Sequence, residues 1–599
     1  MRPDEILSLI RTNHIIEQRV WWADPLFLEF AFWSMVALIT FALTRFHFSV
    51  IKKIEDFGAA LGRKKSTAVA IVFVAALATR AALLPIIPVP EPYIHDEYSY
   101  LLQAKTFASG RVTNPSPAMG VHFETFHVNM WPSYQSMYPP AQALPMAAAL
   151  VLHLAPWWGV WLSAGLMCAA VCWMLQGWMP PQWAFLGGLF CVLRLATYSY
   201  WTNSYLNPSV SVIGGALVLG ALPRLRRTPT VSHALVLALG LGILANSRPY
   251  EGFVFSIPTV LLLLYWHGIK QGKRVRAAIF APALLLLGLI AAGTGYYNWR
   301  NTGNPVLMPY VVNQHQYHIS RPFIWQKAYP IPHYRHQIMR TMYVRIELPD
   351  YLLRQYSFGL RKILTRKLLV IDQFFLWPFL VLMFVSIWKM LKSRRVWPIA
   401  FTVLFLFAGL MIEEWPLNSH YAAPMECAVI AIMLYGLRLL RQWRPRKTLI
   451  GPQILQAVMI MFCLWSAVEI GATALDPYHL TFFSGHATIF ERSRLTTELD
   501  KIPGQHLVLV HTQLSNLGFD DWVYNEPDID RAKIIWARDM GDAGNAELLR
   551  YYPNRRVWIV NQDDGVMQLT PYPNQDPQLE TFRSLAFHAT AEPLSALHR

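Results

Sequence analysis

The sequence predicts a polytopic α-helical membrane protein with a small soluble α/β domain at its C-terminus, and three observations carry that prediction. The 599 residues are 54% hydrophobic and only 15% charged, whereas soluble domains carry about 25% charged residues. The apolar residues fall in long runs, close to the ~20 residues that a helix needs to span a bilayer. The last 125 residues differ, because they hold 17 of the 36 acidic residues. This composition excludes intrinsic disorder and argues against an ordinary soluble enzyme.

Thirteen apolar runs predict about 12–13 transmembrane helices. Residues 1–65 are expected to form an interfacial helix and one extra span, 66–475 a membrane domain, and 476–599 a soluble domain. The Pro-bounded run 139–155 is expected not to cross fully, since three runs separate two loops that both belong outside. The predicted runs are 25–44, 66–89, 139–155, 157–176, 183–201, 208–223, 231–247, 252–267, 277–297, 367–391, 396–412, 422–440 and 450–473.

The basic residues set the predicted orientation. The net charge of +16 falls largely in short clusters between apolar runs, where the positive-inside rule explains it better than nucleic-acid binding does. The predicted location is the bacterial inner membrane, multi-pass, with loops 90–138 and 298–366 and the C-terminal domain on the periplasmic side. The clusters assigned to the cytoplasm are 52–65, 224–227, 270–276, 392–395 and 438–447.

The C-terminal region predicts a partly parallel sheet. Three β-type runs, 506–511, 532–537 and 556–560, alternate with one helical stretch, 543–552. The stretch from Asp520 to Asn525 has the aromatic and acidic residues of a sugar-binding loop, but a plain surface loop is the favoured interpretation.

The strongest chemical signal is the motif Tyr93-Ile-His-Asp-Glu-Tyr-Ser-Tyr100, directly after an apolar run and a Pro-rich turn. Residues 95–109 are predicted to form a helix that ends at Gly110. Asp96 and Glu97 then lie in its first turn, where the positive helix end keeps a carboxylate ionised. Taken alone, the pair is better explained by helix capping. Glu124 and the sequence Tyr138-Pro-Pro140 follow in the same external loop.

This order of one span, Asp96 and Glu97, a short amphipathic helix, a second acid and Tyr138-Pro-Pro140 resembles the GT-C glycosyltransferase superfamily. The superfamily includes protein O-mannosyltransferases and lipid A aminoarabinose transferases. The resemblance covers roughly residues 66–475 and implies a GT-C-like fold, with Asp96 as the catalytic acid, Glu97 as its neighbour and Glu124 as the second acidic site. About a dozen residues separate Glu124 from the Pro-Pro pair, a longer spacing than the family's.

The implied reaction moves a sugar from a polyprenyl-phosphate-linked donor to a glycan, lipid or protein acceptor, with inversion in a single displacement. A carboxylate takes the proton of the acceptor hydroxyl, and cationic groups hold the departing phosphate. Arg248 and Arg300 are candidates for that phosphate contact, although Arg248 and Glu251 can equally pair with each other. The predicted substrate-binding residues are Glu124, Tyr138, Arg248, Glu251, Arg300, His420 and Tyr421.

The sequence also leaves two alternative functions and one possible metal site to consider. A lipid-linked-saccharide transporter or flippase is the main alternative, but the charges within spans are few and the acids gather in external loops. The other alternative is a catalytically dead relative that binds polysaccharide, which the presence of Asp96 disfavours. No cofactor is predicted; a divalent metal is a minor alternative, on the spacing of His315, His318, His333 and His336.

Overall fold

Long apolar helices dominate the computed structural model, so the predicted polytopic helical class is confirmed. The structure describes residues 25–46, 49–270, 273–354, 357–413, 418–444, 450–477, 489–512, 521–562 and 568–572. The predicted interfacial helix at residues 1–20 and Asp520 lie outside the described residues. The division of the chain at residues 65 and 475 stays a prediction.

Within the described residues, eight helices are long and apolar enough to cross a membrane, and a bent pair would make a ninth. The bent pair joins Gly359–Leu376 and Leu380–Leu391 at 88°. The eight spans are Phe27–Arg45, Lys65–Ala82, Trp157–Trp178, Ser209–Arg227, Pro249–Trp266, Ala277–Thr302, Ser419–Arg441 and Gly451–Leu475.

Three further apolar helices are shorter: Pro140–Val151, Val231–Ala245 and Trp397–Ile412. At ~1.5 Å per residue, the first of these covers far less than the ~30 Å of a hydrocarbon core. This is the run that the sequence singles out as an incomplete crossing. The run at 183–201 becomes a helix, Pro181–Cys191, followed by a π-helical segment, Val192–Tyr198.

The remaining secondary structure lies mainly in the loops and in the C-terminal region. The other helices are Ser49–Arg63, His95–Ala108, Gly120–Phe123, Lys273–Thr302 (which contains the sixth span), Pro309–Tyr317, Gln337–Arg340, Leu348–Leu353, Ser357–Ile371, Glu426–Arg441, Ile489–Lys501 and Gly541–Tyr551, with 3-10 turns at Pro140–Gln142 and Ser419–Met425 and π-helical segments at Thr341–Glu347 and Asp372–Leu376.

A buried arginine fixes the turn that leads into the motif around Asp96. Arg80, near the end of the span Lys65–Ala82, donates to the carbonyl oxygens of Ile87 at 2.8 Å and Pro88 at 3.0 Å. Its Nε donates to Oδ1 of Asn203 at 2.9 Å. A charged group without water needs such acceptors, so Arg80 ties the Pro-rich turn to the loop at 199–207.

The C-terminal region is α/β, as predicted. Strand β3 (His506–Thr512) lies between β4 (Ile534–Arg538) and β5 (Arg556–Gln562), and both pairings are parallel. A fourth strand that the sequence does not predict, β6 (Gln568–Pro571), pairs antiparallel with β5. The predicted helix is Gly541–Tyr551.

This C-terminal unit packs on the first external loop. A two-stranded hairpin in that loop, β1 (Val128–Asn129) and β2 (Gln135–Ser136), shares one hydrophobic cluster with the C-terminal sheet. Leu102, Val128 and Tyr134 belong to that cluster together with Leu507 and Tyr524. The sheet therefore lies directly beside the helix that begins at His95.

Candidate active site

Asp96 is the second residue of the helix His95–Ala108, and its side chain is buried. Ile94, with extended backbone, precedes the helix, so the preceding Pro-rich turn delivers the chain to the helix start. A carboxylate at this position faces the positive end of the helix dipole. The predicted placement of Asp96 in a first turn is confirmed.

Two side chains from the neighbouring hairpin converge on Asp96. Nδ1 of His127 and the hydroxyl of Tyr138 both contact Oδ1 of Asp96, and these two groups are 2.8 Å from each other. His95 packs against His127, with ring centroids 4.3 Å apart, and its Nε2 is 3.9 Å from the same oxygen. His127 has a left-handed backbone, with φ of 59°, and its carbonyl accepts a hydrogen bond from Ser99 at 2.6 Å. Through Ser99, the helix that carries Asp96 therefore also fixes the backbone of His127, the residue whose side chain contacts Asp96.

These contacts keep Asp96 ionised. Burial by itself would raise the pKa of Asp96, but His127, His95 and the hydrogen bonds from His127 and Tyr138 outweigh it and hold that pKa well below its usual range. Burial and the adjacent carboxylate raise the pKa of Tyr138, so its phenol stays protonated and donates. Burial lowers the pKa of His95 to about 4, so His95 is neutral at pH 7.

Glu97 has a different role from Asp96. One of its carboxylate oxygens accepts from the backbone amides of Tyr93 at 2.7 Å and Ile94 at 3.2 Å, which is a helix cap. The other accepts from the amide of Tyr205 at 2.6 Å. Glu97 therefore joins the helix start to the loop after the π-helical segment, and its catalytic role stays a prediction.

Arg248 brings a mostly buried positive charge to the same region, with 13% of its side chain exposed. Its guanidinium lies over the ring of Tyr421, 4.6 Å from the centroid. Both Tyr100 and Tyr421 are within electrostatic range of Arg248 and of Asp96. Glu251 lies 3.8 Å from Arg248, so the pairing that the sequence left open is present, but it is long for a hydrogen bond. Arg248 also has a buried Nε without a hydrogen-bond partner in the described part of the chain.

The late loop reaches this region as well. Nδ1 of His420 is 3.0 Å from the hydroxyl of Tyr200, and its ring packs against Tyr421. Asp96 and Arg248 both act electrostatically on His420. The structure therefore brings His420, Tyr421, Tyr138, Arg248 and Glu251 into one neighbourhood with Asp96, from segments up to ~325 residues apart in sequence.

Glu124 lies in a separate cluster against the second external loop. It accepts from Arg335 at 2.7 Å, and Nε2 of His336 is 3.4 Å from its other oxygen. The hydroxyl of Tyr317 is 3.4 Å away. Burial raises the pKa of Glu124 even though Arg335 opposes that change. This carboxylate connects the two external loops and does not touch Asp96.

The C-terminal sheet supplies a wall of the site. Arg538 on β4 is bidentate to the buried carboxylate of Asp521, with one contact at 2.9 Å. Its Nε donates to the carbonyl of Glu124 at 2.9 Å, and Thr125 donates to Asp521 at 2.5 Å. The favoured interpretation of residues 521–525 as a surface loop is wrong, because Asp521 is buried against the external loop. Its partner Thr125 lies two residues before His127.

The other predicted residues lie elsewhere. Arg300 is exposed and donates to the hydroxyl of Tyr296 at 3.0 Å, and its contact with a phosphate stays a prediction. The loop histidines do not form one metal site. His318 is 3.1 Å from Glu347 and His336 is 3.4 Å from Glu124, so these two histidines lie beside different carboxylates.

One group in the described residues has the donor set of a metal site, namely His95, Asp96 and His127. One ligand atom from each lies within 4.8 Å of the others. Two imidazoles and one carboxylate suit zinc or a similar divalent ion with an open position. The sequence did not predict this group, although His95 stands in the quoted motif and His127 lies three residues after Glu124.

Three solved structures have a similar chain course. ArnT from Cupriavidus metallidurans bound to undecaprenyl phosphate is 13% identical, with a TM-score of 0.47 over 86% of this chain and 95% of that chain. The Archaeoglobus fulgidus oligosaccharyltransferase in complex with Zn and sulfate is 12% identical, with a TM-score of 0.43 over 82% of this chain and 67% of that chain. Archaeal oligosaccharyltransferase AglB from Archaeoglobus fulgidus, in complex with an inhibitory peptide and a dolichol-phosphate, is 10% identical, with a TM-score of 0.40 over 83% and 69%.

With TM-scores below 0.5, these likenesses are resemblances of chain course alone. No protein-family model matches the chain, and no curated protein matches its sequence.

Proposed function

We propose that this protein is a glycosyltransferase that moves a sugar from a polyprenyl-phosphate-linked donor to an acceptor hydroxyl at the outer face of a bacterial inner membrane. Asp96 is the general base, and Arg248 holds the phosphate of the donor. The acceptor is a glycan, a lipid or a protein.

One observation carries the proposal: a buried, ionised carboxylate and a mostly buried guanidinium share a set of tyrosines. Within the described residues, Asp96 is contacted by His95, His127 and Tyr138, whereas Arg248 has Glu251 and the ring of Tyr421. Two opposite charges that lie in one region without pairing with each other are typical of a site that places them on the two ends of a reacting group.

The reaction then follows from the charges. The acceptor oxygen attacks the anomeric carbon and forms the new glycosidic bond, and Asp96 takes its proton. The bond from that carbon to the phosphate oxygen breaks, and the electron pair leaves with the phosphate, whose charge Arg248 stabilises. A single displacement inverts the anomeric centre. Tyr138 and His127 orient Asp96 throughout.

A divalent metal is part of the proposal at one place only. His95, Asp96 and His127 are the residues that would hold it, and a metal there would supply a Lewis acid on the acceptor side of the site. Metal analysis of the purified protein, beside the His127→Ala variant, tests this occupancy without relying on activity.

Transport of a lipid-linked saccharide is the second candidate, because the bent pair at 88° is the kind of broken helix that transporters use. The charges near span ends argue against it. Arg80 is satisfied by carbonyls and Asn203, and Arg194 donates to the carbonyl of Phe374 at 2.6 Å. Both guanidinium groups thus have hydrogen-bond acceptors within the protein.

The test is sugar transfer from a polyprenyl-phosphate donor by purified protein. Asp96→Asn should lower kcat by ~10²–10⁴ with normal membrane insertion. The control Glu124→Gln changes an equally buried carboxylate outside this neighbourhood and should cost at most a few-fold in kcat if correctly folded. Near-normal turnover in Asp96→Asn would remove Asp96 from the mechanism. Absence of transfer with any lipid-linked sugar, together with substrate flux in vesicles, would favour the transporter.

A further inference from the structure

A basic cavity lies at the end of the membrane helices opposite to Asp96. The cavity has a volume of about 380 Å³ and is lined by Lys65, Arg227, Arg395, Arg438, Trp178 and Tyr435, among others. Lys65 begins the span that leads to the Asp96 loop, and Arg227 ends the span that begins at Ser209 beside that loop. The cavity and the candidate active site therefore belong to opposite membrane faces.

Four cations from four separate segments meet in this cavity, and none of the residues that line it is acidic. Within the described residues, the side chains of Lys65, Arg395 and Arg438 have no ion-pair partner, and Arg227 donates only to the carbonyl of Gly177, at 2.8 Å. The nearby Arg441, by contrast, is paired with Glu55. An orientation signal requires only cations in the loops; it does not require them to converge on one concave space without a counter-charge.

We propose that this cavity binds the phosphate headgroup of an anionic glycerophospholipid from the leaflet opposite to Asp96. The volume lies within the ~300–1,000 Å³ of small-molecule sites. Basic pockets between membrane helices suit anionic headgroups. Trp178 and Tyr435 place amphipathic rings beside the cations, as is usual at the level of the headgroups. Trp178 is fixed there, since its indole donates to the carbonyl of Leu219 at 3.0 Å.

The lipid source is favoured over a soluble phosphate by the position of the cavity. Lys65, Arg227 and Trp178 each stand at the first or last residue of a membrane-spanning helix, which places the cavity where headgroups lie and acyl chains can continue along the helices. This inference does not depend on the proposed glycosyl transfer, because no residue of the cavity belongs to the neighbourhood of Asp96.

The test measures binding of phosphatidylglycerol to the purified full-length protein in neutral detergent by native mass spectrometry, with phosphatidylcholine as the uncharged comparison and glycerol phosphate as the soluble one. Arg395→Gln/Arg438→Gln should weaken phosphatidylglycerol binding by roughly 30-fold, from the usual contribution of two cations near an anionic headgroup. Arg394→Gln/Arg444→Gln removes the same charge from exposed residues that do not line the cavity, and it should bind like the parent.

If the first variant does not fold, Lys65→Gln/Arg395→Gln replaces two exposed cavity cations and makes the same prediction. Equal losses in the cavity variant and the control would reduce the effect to general surface charge and overturn the proposal. Equal binding of phosphatidylcholine, or glycerol phosphate that competes as well as the lipid, would overturn the lipid headgroup as the occupant.

Discussion

The contact between the C-terminal sheet and the Asp96 loop makes a quantitative prediction for Arg538→Met. The substitution keeps an apolar stem but removes the bidentate partner of Asp521 and the donor to the carbonyl of Glu124. Asp521 is then left buried with only Thr125 and the amide of Val523. Breaking a buried pair in this way costs about 3–5 kcal/mol.

Arg538 and Asp521 bind Glu124 and Thr125, so the loss of stability should be seen in residues 122–127. In hydrogen-exchange mass spectrometry of the full-length protein, the protection of this segment should fall by about 10²–10³ in Arg538→Met. The double variant Arg538→Met/Asp521→Leu should recover much of the protection, because replacing both partners by apolar groups avoids a lone buried charge. Transfer activity should follow protection, since His127 lies in the segment.

Glu526→Gln is the matched control at the same interface. Its partner is Lys105, and both side chains are well exposed, so the loss should stay within ~1 kcal/mol. Unchanged protection of residues 122–127 in Arg538→Met would refute the idea that the sheet holds the catalytic loop. An equal loss in Glu526→Gln would show that the interface acts through general contact and not through the buried pair.

Further predictions concern pH, the donor and the base. Burial lowers the pKa of both His95 and His336 to about 4, so between pH 6.5 and about 4 these histidines are protonated in the unfolded chain but not in the folded chain. As the pH falls through that window, the free energy of unfolding should decrease by up to ~3 kcal/mol per histidine. A correctly folded His336→Gln should show a smaller decrease of its thermal unfolding temperature over the same window. Arg248→Ala should raise KM for the lipid-linked donor by ~10–100-fold, whereas the exposed Arg300→Ala should leave it within a few-fold. Tyr138→Phe removes a donor to the base, so kcat should fall about tenfold and the acidic limb of the pH–rate profile should move to higher pH; an unmoved limb would contradict that contact.

The amino-acid sequence by itself determined the membrane class, the α/β nature of the C-terminal region and the place of Asp96. These features depend on local patterns. Apolar runs, β-type runs and an acid after a Pro-rich turn are all visible within a few tens of residues. The order of the apolar runs between two loops assigned to the outside also indicated that the Pro-bounded run at 139–155 does not cross fully.

Tertiary structure decided which side chains share a site. Arg248 and His420 meet the region of Asp96, whereas Arg300 and Glu124 do not, because contacts between distant helices and loops have no local signature. His127 reaches Asp96 only through the hairpin and its left-handed backbone. The fourth strand and the burial of Asp521 depended on pairing with partners far along the chain. Burial in the folded chain lowers the pKa of His95 and raises that of Glu124, whereas contacts with His127 and Tyr138, which only the folded chain creates, hold the pKa of Asp96 low.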